Sequence, residues 1–288
     1  MSNIIEPILL DDVLTLRKER FNTNNHSLDT PIDYYKILEN SNIKYWIDKF
    51  RTDYIIINLS KKYINWMKKA NDIGKYTGQF PKIFNEELEE FLNNHKHLDY
   101  IFNSNNKYFV RTEKVSLKYG QHGVGPYANL KDIIESLVTC IDTHSPIKYI
   151  NDSSIKLYLF PWIEINEDRE FRIFVCNNNI TAISQQNIYK RNEYLLKYNE
   201  EERNIVINNW INIIKNYFDD VIKKNITHTT NYTIDLALLD NMQLYFIEIN
   251  SFGKDYAAGS ALYHWIIDET ILLDINRQYN VYFRYVNI

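Results

Sequence analysis

Polar and apolar positions change rhythm partway along the chain. Over the first hundred residues the pattern is mostly helical and polar. Thr30-Pro31 reads as an N-cap followed by proline at the first helical position, opening a helix to about Glu39. The short apolar run Tyr54-Ile55-Ile56-Ile57 predicts a buried strand. Residues 60–71 then place Tyr63, Ile64 and Met67 at helical spacing, and Asn85 opens a further helix through Leu88, Phe91 and Leu92. Gly74, Gly78 and Pro81 mark the link between them. From Lys107 the rhythm shortens. Tyr108 to Thr112 predicts a strand, a loop with Gly120, Gly123 and Gly125 follows, and Asn129 caps a helix to about Cys140. Residues 156–164, 170–175 and 180–185 read as strands, the last two joined through Asn177-Asn178-Asn179 as a hairpin turn. A long amphipathic helix is expected over 199–224, with Asn199 and Glu202 as a capping-box start. Its apolar face carries Val206, Trp210, Ile213, Tyr217 and Val221. Strands over 233–239 and 244–249, parted by Asp240-Asn241, complete an α+β order of antiparallel hairpins with inserted helices. The change of texture suggests a mostly helical lobe over 1–100 and a core over 101–288.

Composition narrows the function classes. The 288 residues are 45% hydrophobic and 15% aromatic, too rich in core-forming side chains for a disordered chain. The net charge of −4 supplies no overall basic field for nucleic acid or an anionic membrane. Two cysteines, Cys140 and Cys176, make no disulfide framework and read as reduced thiols. The opening Met-Ser-Asn-Ile-Ile-Glu-Pro lacks the features of a signal peptide, and no apolar run is long enough to span a bilayer. A soluble cytoplasmic protein is therefore expected. In so Asn-rich a chain, the Asn-x-Ser/Thr triplets at Asn58, Asn151 and Asn179 arise by chance.

Candidate chemistry is concentrated in a few strands. The sequence holds no Gly-x4-Gly-Lys-Ser/Thr loop and no His-Arg-Asp segment. His95-Lys96-His97 sits on a polar helix end, where solvation is the plainer reading. Asp235 lies in the apolar run Ile234-Asp235-Leu236-Ala237-Leu238; Glu248 and Asn250 lie two apart in Phe246-Ile247-Glu248-Ile249-Asn250, on one strand face. A turn near Asp240–Met242 would set Asp235 opposite them. Two carboxylates and an amide oxygen suit Mg2+ holding nucleotide phosphates; a solvent-facing or ion-paired set is the equal alternative on pattern alone. Alternation puts Glu170, Arg172 and Phe174 on one face, where Arg172 is either a phosphate clamp or half of a Glu–Arg pair. Arg111, with Ser116 and Lys118 after it, is either a phosphate-neutralising set or a solvated basic loop.

Together these blocks resemble the cell division cycle protein 123 family of the ATP-grasp superfamily. The resemblance rests on Phe109-x-Arg111 with Ser116-x-Lys118, on Trp162-x-Glu164, Glu170-Phe171-Arg172-x-Phe174-Val175 and Ile183-Ser184-Gln185, and on Asp235 with Ile247-Glu248-Ile249-Asn250-x-Phe252-Gly253 and Trp265. It covers roughly residues 105–270. The departures are Arg111 in place of the family's lysine, Tyr119 in place of its loop Asp, Phe160-Pro161 for a basic residue, Gln186-Asn187 for Arg-Asp, Glu248 for the metal Asp and Ser251 for a proline. The resemblance implies an ATP-grasp fold in which two α+β lobes with antiparallel sheets clasp the nucleotide. It implies Arg111 and Lys118 on phosphates, Tyr158, Leu159 and Phe160 lining the adenine edge, and Arg172 as a catalytic group near the phosphates. Asp235, Glu248 and Asn250 would hold Mg2+, with Asp235 and Asn250 also touching the ATP. On that reading Asp235→Asn or Glu248→Gln weakens Mg2+-ATP binding and leaves the apo protein folded. The implied function is an ATP-binding assembly chaperone of the gamma subunit of translation initiation factor 2. Most other ATP-grasp proteins are ligases joining a peptide or small-molecule carboxylate to an amine through an acyl-phosphate, which is the alternative. Neither reading involves nucleic acid or a membrane.

Overall fold

The computed structural model of the chain describes residues 2–24, 31–141, 145–147, 154–256 and 258–287; Thr30 and Asn151 lie outside them. Among the described residues the strands are β1 (Asn3–Leu9), β2 (Ile55–Ser60), β3 (Tyr108–Arg111), β4 (Ser154–Pro161), β5 (Glu170–Cys176), β6 (Asn179–Gln185), β7 (Tyr232–Leu238), β8 (Leu244–Asn250) and β9 (Val281–Asn287). They form a six-stranded sheet, in the order β1-β9-β6-β5-β7-β8, and a three-stranded sheet, in the order β2-β4-β3. Contacts divide the chain into two compact units, Met1–Phe50 with Ile165–Ile288, and Arg51–Glu164. That division differs from the one expected at residue 100. The first fifty residues group with the C-terminal unit because β1 completes its sheet, pairing in parallel with β9 from Asn3↔Val281 to Leu9↔Asn287.

In the unit Arg51–Glu164, β4 is the central strand and runs antiparallel to both neighbours. Alternation sends Leu157 and Leu159, with Ile57, Leu59 and Val110 beside them, into one core. That core also takes Ile64 and Met67 from the helix Lys61–Thr77, Phe91 from Asn85–Asn94, and Ile133 and Leu137 from Leu130–Thr139. Asn129 caps the last helix as expected, its side chain accepting from the Asp132 amide. Tyr158 and Phe160 point to the other sheet face, opposite Arg111 and Phe109 on β3.

In the larger unit, β6-β5-β7-β8 are antiparallel throughout, two hairpins joined side by side through β5 and β7. The β5–β6 turn places Asn177 and Asn178 at φ 51° and 58°, the two left-handed positions of the expected hairpin. β9 adds in parallel to both β6 and β1, so the sheet is mixed where only antiparallel hairpins were expected. The helix expected over 199–224 is Glu200–Tyr217 followed by a π-helical turn, Phe218–Ile222, and its capping box is formed. Its buried stripe is Ile207, Trp210, Ile211, Ile214, Phe218 and Ile222, shifted from the expected face at every position but Trp210. Paired apolar residues at 206/207 and 213/214 make both registers plausible by spacing. Phe171 and Phe283 pack on Trp210, with ring centroids at 5.3 and 6.4 Å, so one face of the sheet is closed by this helix. On the opposite face Phe174 meets Tyr263 and Trp265 at 5.3 and 5.4 Å, and Phe252 packs on Trp265.

Candidate functional site

The β7–β8 hairpin brings the carboxylates together as its sequence predicted. Asp235 pairs with Glu248 and Thr233 with Asn250, so all four side chains share one sheet face. A bulge makes this possible, because the register shifts between Asp235 and Leu236 so that Leu236 pairs with Phe246. Without it Phe246 and Glu248, two residues apart, would face the same way. With it Phe246 stacks on Phe50 at 3.9 Å, while Glu248 turns to Asp235, the re-aiming that bulges supply beside sites. Asp235 is buried at 2% exposure; Glu248 and Asn250 are half-buried, so the cluster is closed below and open above.

Arg172 lies directly across from Asp235 on β5. Its Nε donates to Oδ1 at 2.9 Å and its Nη2 to Oδ2 at 2.7 Å, a bidentate pair, and its Nη1 donates to the Gly259 carbonyl oxygen at 2.7 Å. Burial acts to lower the basicity of this guanidinium, but Asp235, and then Glu248 and Glu170, outweigh it, so its pKa is raised and it stays charged. The fork expected to clamp a phosphate is thus held by Asp235 here. Asn250 Nδ2 donates weakly to Asp235 Oδ2 and to Glu248 Oε1, both at 3.3 Å, which turns its amide between the two carboxylates. Thr233, fully buried on the same face, leaves its Oγ1 without a hydrogen-bond partner among the described residues. Two carboxylates, an amide oxygen and this hydroxyl are the hard oxygen donors that Mg2+ prefers, so the residues fit the implied ion.

The remaining expected residues belong to the other unit. Arg111 is buried, donating from Nε to the Thr112 carbonyl at 3.3 Å and from Nη2 to that of Lys114 at 3.4 Å, and its backbone bridges to Ser116. Lys118 is exposed, with its Nζ 5.4 Å from the Tyr119 ring centre. Tyr158 and Phe160 are buried on the non-core face; Leu159 points into the core, so its side chain does not share their face. Sequence reading missed two neighbours of this face. Tyr54 packs against Tyr158 and Phe160 at 5.8 and 6.0 Å, and Arg51, paired with Asp53, lies 5.0 Å over the Phe160 ring. It also missed a three-residue group of possible ligands, His122, Asp132 and Glu135, in which His122 Nε2 lies 2.6 Å from Glu135. Asp132 and Glu135 sit three apart on the helix Leu130–Thr139, a spacing that signals one helix face; their meeting with a loop histidine has no sequence signal. His95 stays in its helix end, its ring on Phe91 at 4.1 Å.

A family model described as D123 matches residues 130–287, more than half of the chain. The chain belongs to the D123 family. This is the cell division cycle protein 123 family that its motifs resemble, and the match contains Arg172, Asp235, Glu248 and Asn250. A curated relative, the putative CDC123-like protein L884 of Acanthamoeba polyphaga mimivirus, is 24% identical over 286 residues, covering 93% of this chain and 83% of that one. Among solved structures, Cdc123 from Schizosaccharomyces pombe aligns at a TM-score of 0.58 and 14% identity, over 88% of this chain and 99% of that one. The D123 chain thus shares the α+β fold of Cdc123. None of its helices, among the described residues, is long and apolar enough to cross a membrane.

Proposed function

We propose that this D123-family chain binds Mg2+-ATP and acts as an assembly chaperone of the Cdc123 kind, with the gamma subunit of translation initiation factor 2 as its partner. The observation that carries the nucleotide reading is the Asp235, Glu248 and Asn250 cluster, with Asp235 buried on a sheet strand and two half-open oxygen donors beside it. Asp235, Glu248 and Asn250 would hold Mg2+, which supplies positive charge to the ATP phosphates. Arg111 and Lys118 are the cations proposed for the phosphates, and Tyr158 and Phe160 supply an aromatic face for the adenine. The partner rests on family membership alone.

One observation favours the second reading, an ATP-dependent carboxylate–amine ligase. A cavity of about 560 Å3 opens at the end of the β7–β8 hairpin, walled by Asn231, Phe252, Gly253, Lys254, Trp265 and Glu269 among others. Its size suits a small second substrate. In a ligase the bound carboxylate would take the γ-phosphoryl group, ADP would leave, and an amine would then displace phosphate.

Calorimetry with ATP and Mg2+ tests the shared premise: binding that raises the melting temperature is expected, and no heat at millimolar ATP refutes it. Capture of the gamma subunit, with ATP against a non-hydrolysable analogue, separates the two readings. Equal capture without ADP release supports the chaperone; ADP formed only on adding a carboxylate compound supports the ligase.

A further inference from the structure

We propose that Arg172 is the built-in counter-cation of the Asp235–Glu248–Asn250 cluster, and that it keeps a free divalent cation out of that cluster until nucleotide is present. The inference rests on the nucleotide reading above and adds an order to it: the metal enters with the nucleotide and not before.

All three nitrogens of the guanidinium are engaged, two on the Asp235 carboxylate at 2.9 and 2.7 Å and one on the Gly259 carbonyl at 2.7 Å. The strand register puts Arg172 directly across from Asp235, so the backbone fixes this meeting. The pair is sealed, with side chains 11% and 3% exposed, so water screens it little. A cation arriving alone meets a carboxylate whose two oxygens already hold a positive group. It must either displace that group or sit beside it, and a like charge at such range in a shielded site is strongly repulsive. The carboxylates of Asp235 and Glu248 together carry two negative charges, of which the guanidinium cancels one, and Glu170 on the same face of β5 adds to the negative field. What remains attracts a free cation less than the cluster would without its guanidinium. A polyphosphate changes both sides of that balance, because it brings several negative charges and offers the guanidinium other oxygen acceptors whose geometry matches its fork.

Glu248 and Asn250 support this reading over a purely structural pair. An ion pair that only held strands together would not need a second, half-open carboxylate beside it. Here Asn250 Nδ2 reaches both carboxylates at 3.3 Å, so the counter-cation and the amide share the work of holding like charges close.

The experiment is Mn2+ titration of the full chain without nucleotide, by calorimetry or by the spin-resonance signal of free Mn2+, for the native protein, Arg172→Gln and the double variant Arg172→Gln/Glu248→Gln. Removing the buried cation leaves Asp235 without its charge partner, and metal alone should then bind roughly ten-fold more tightly, or better, than to the native chain. The gain should vanish in the double variant. Unchanged or weaker Mn2+ binding by Arg172→Gln overturns the proposal, as does a gain that survives in the double variant. Should Arg172→Gln fail to fold, recovery of its native circular dichroism on adding Mn2+ supports the proposal, and no recovery overturns it. Mg2+-ATP binding by the native chain is measured separately. Its absence removes the nucleotide reading, while the Mn2+ comparison still decides the role of Arg172.

Discussion

Asp235→Asn and Glu248→Gln make the same chemical change at facing positions, and the fold predicts very unequal effects on stability. The Asp235 carboxylate is buried and takes two charge-assisted hydrogen bonds from Arg172. An amide keeps one acceptor oxygen and presents an NH2 group to the guanidinium, leaving a buried cation short of its partner. Removing one member of a buried pair costs about 3–5 kcal/mol. Arg172 retains the Gly259 carbonyl and the nearby charges of Glu248 and Glu170, so the lower end, about 3 kcal/mol, is expected. At roughly 2–4 °C per kcal/mol for a domain of this size, the melting temperature falls by ~6–12 °C. Glu248 is half-buried; its repulsion from Asp235 offsets its attraction to Arg172 and its hydrogen bond from Asn250, so Glu248→Gln should cost less, about 1 kcal/mol or under. Both variants should lose the thermal shift that Mg2+-ATP gives the native protein. The assay is thermal unfolding by calorimetry, with and without Mg2+-ATP. A native-like melt for Asp235→Asn would mean that the ion pair adds nothing, and equal collapse of both variants would make Glu248 a structural partner as well.

Gly120→Ala places a Cβ 2.3 Å from the Ser136 carbonyl oxygen, so the loop must move off its helix; a loss of about 1–3 kcal/mol in urea unfolding is expected, and a neutral variant refutes the close packing. Asp268 accepts from Arg20 at 2.6 Å and Arg284 at 2.8 Å; burial pushes its carboxyl up, but the two guanidiniums outweigh this and hold it below the usual carboxylate range. Its folded pKa is thus below its unfolded one, so its stabilisation is present at neutral pH and is lost as pH falls below about 4 through the folded value. Asp268→Asn should flatten that acid limb of a stability–pH profile, and an unaltered limb refutes the assignment. Trp210→Ala empties the contact between the helix Glu200–Tyr217 and the rings of Phe171 and Phe283, and should cost about 3–5 kcal/mol; a loss under about 1 kcal/mol would show that the helix is not holding the sheet.

Elements whose physics is local were legible in the sequence. The Asn177-Asn178 turn needs two left-handed residues, and asparagine supplies them more cheaply than most. The capping box at Asn199 and Glu202 and the N-cap at Asn129 are four-residue patterns that form as written. The strands β1 and β9 were not legible, because their parallel pairing joins residues near the two ends of the chain and has no turn to announce it. The helix face was missed for a different reason. Apolar residues stand side by side at 206/207 and 213/214, and only the sheet beneath decides which of each pair is buried.

The candidate site divides along the same line. That Asp235 meets Glu248 and Asn250 follows from a short hairpin and a period of two, and the structure has that meeting. What the period hides is the bulge, since strict alternation would put Phe246 beside Glu248 on one face, and a phenylalanine there would crowd the carboxylates with an apolar ring. What it also hides is Arg172. Alternation gives its face, yet its partner lies 63 residues away on β7, and only strand order brings the two together. That pairing changes the physical expectation for the cluster. Without it, a buried and a half-buried carboxylate repel, and neutralising either one would relieve the apo protein. With it, the charge on Asp235 is part of what holds β5 to β7, and Glu248 on β8 adds a second negative charge to the same guanidinium. A residue type and a spacing suggest what can bind; the counter-charge across the sheet sets what binding must displace.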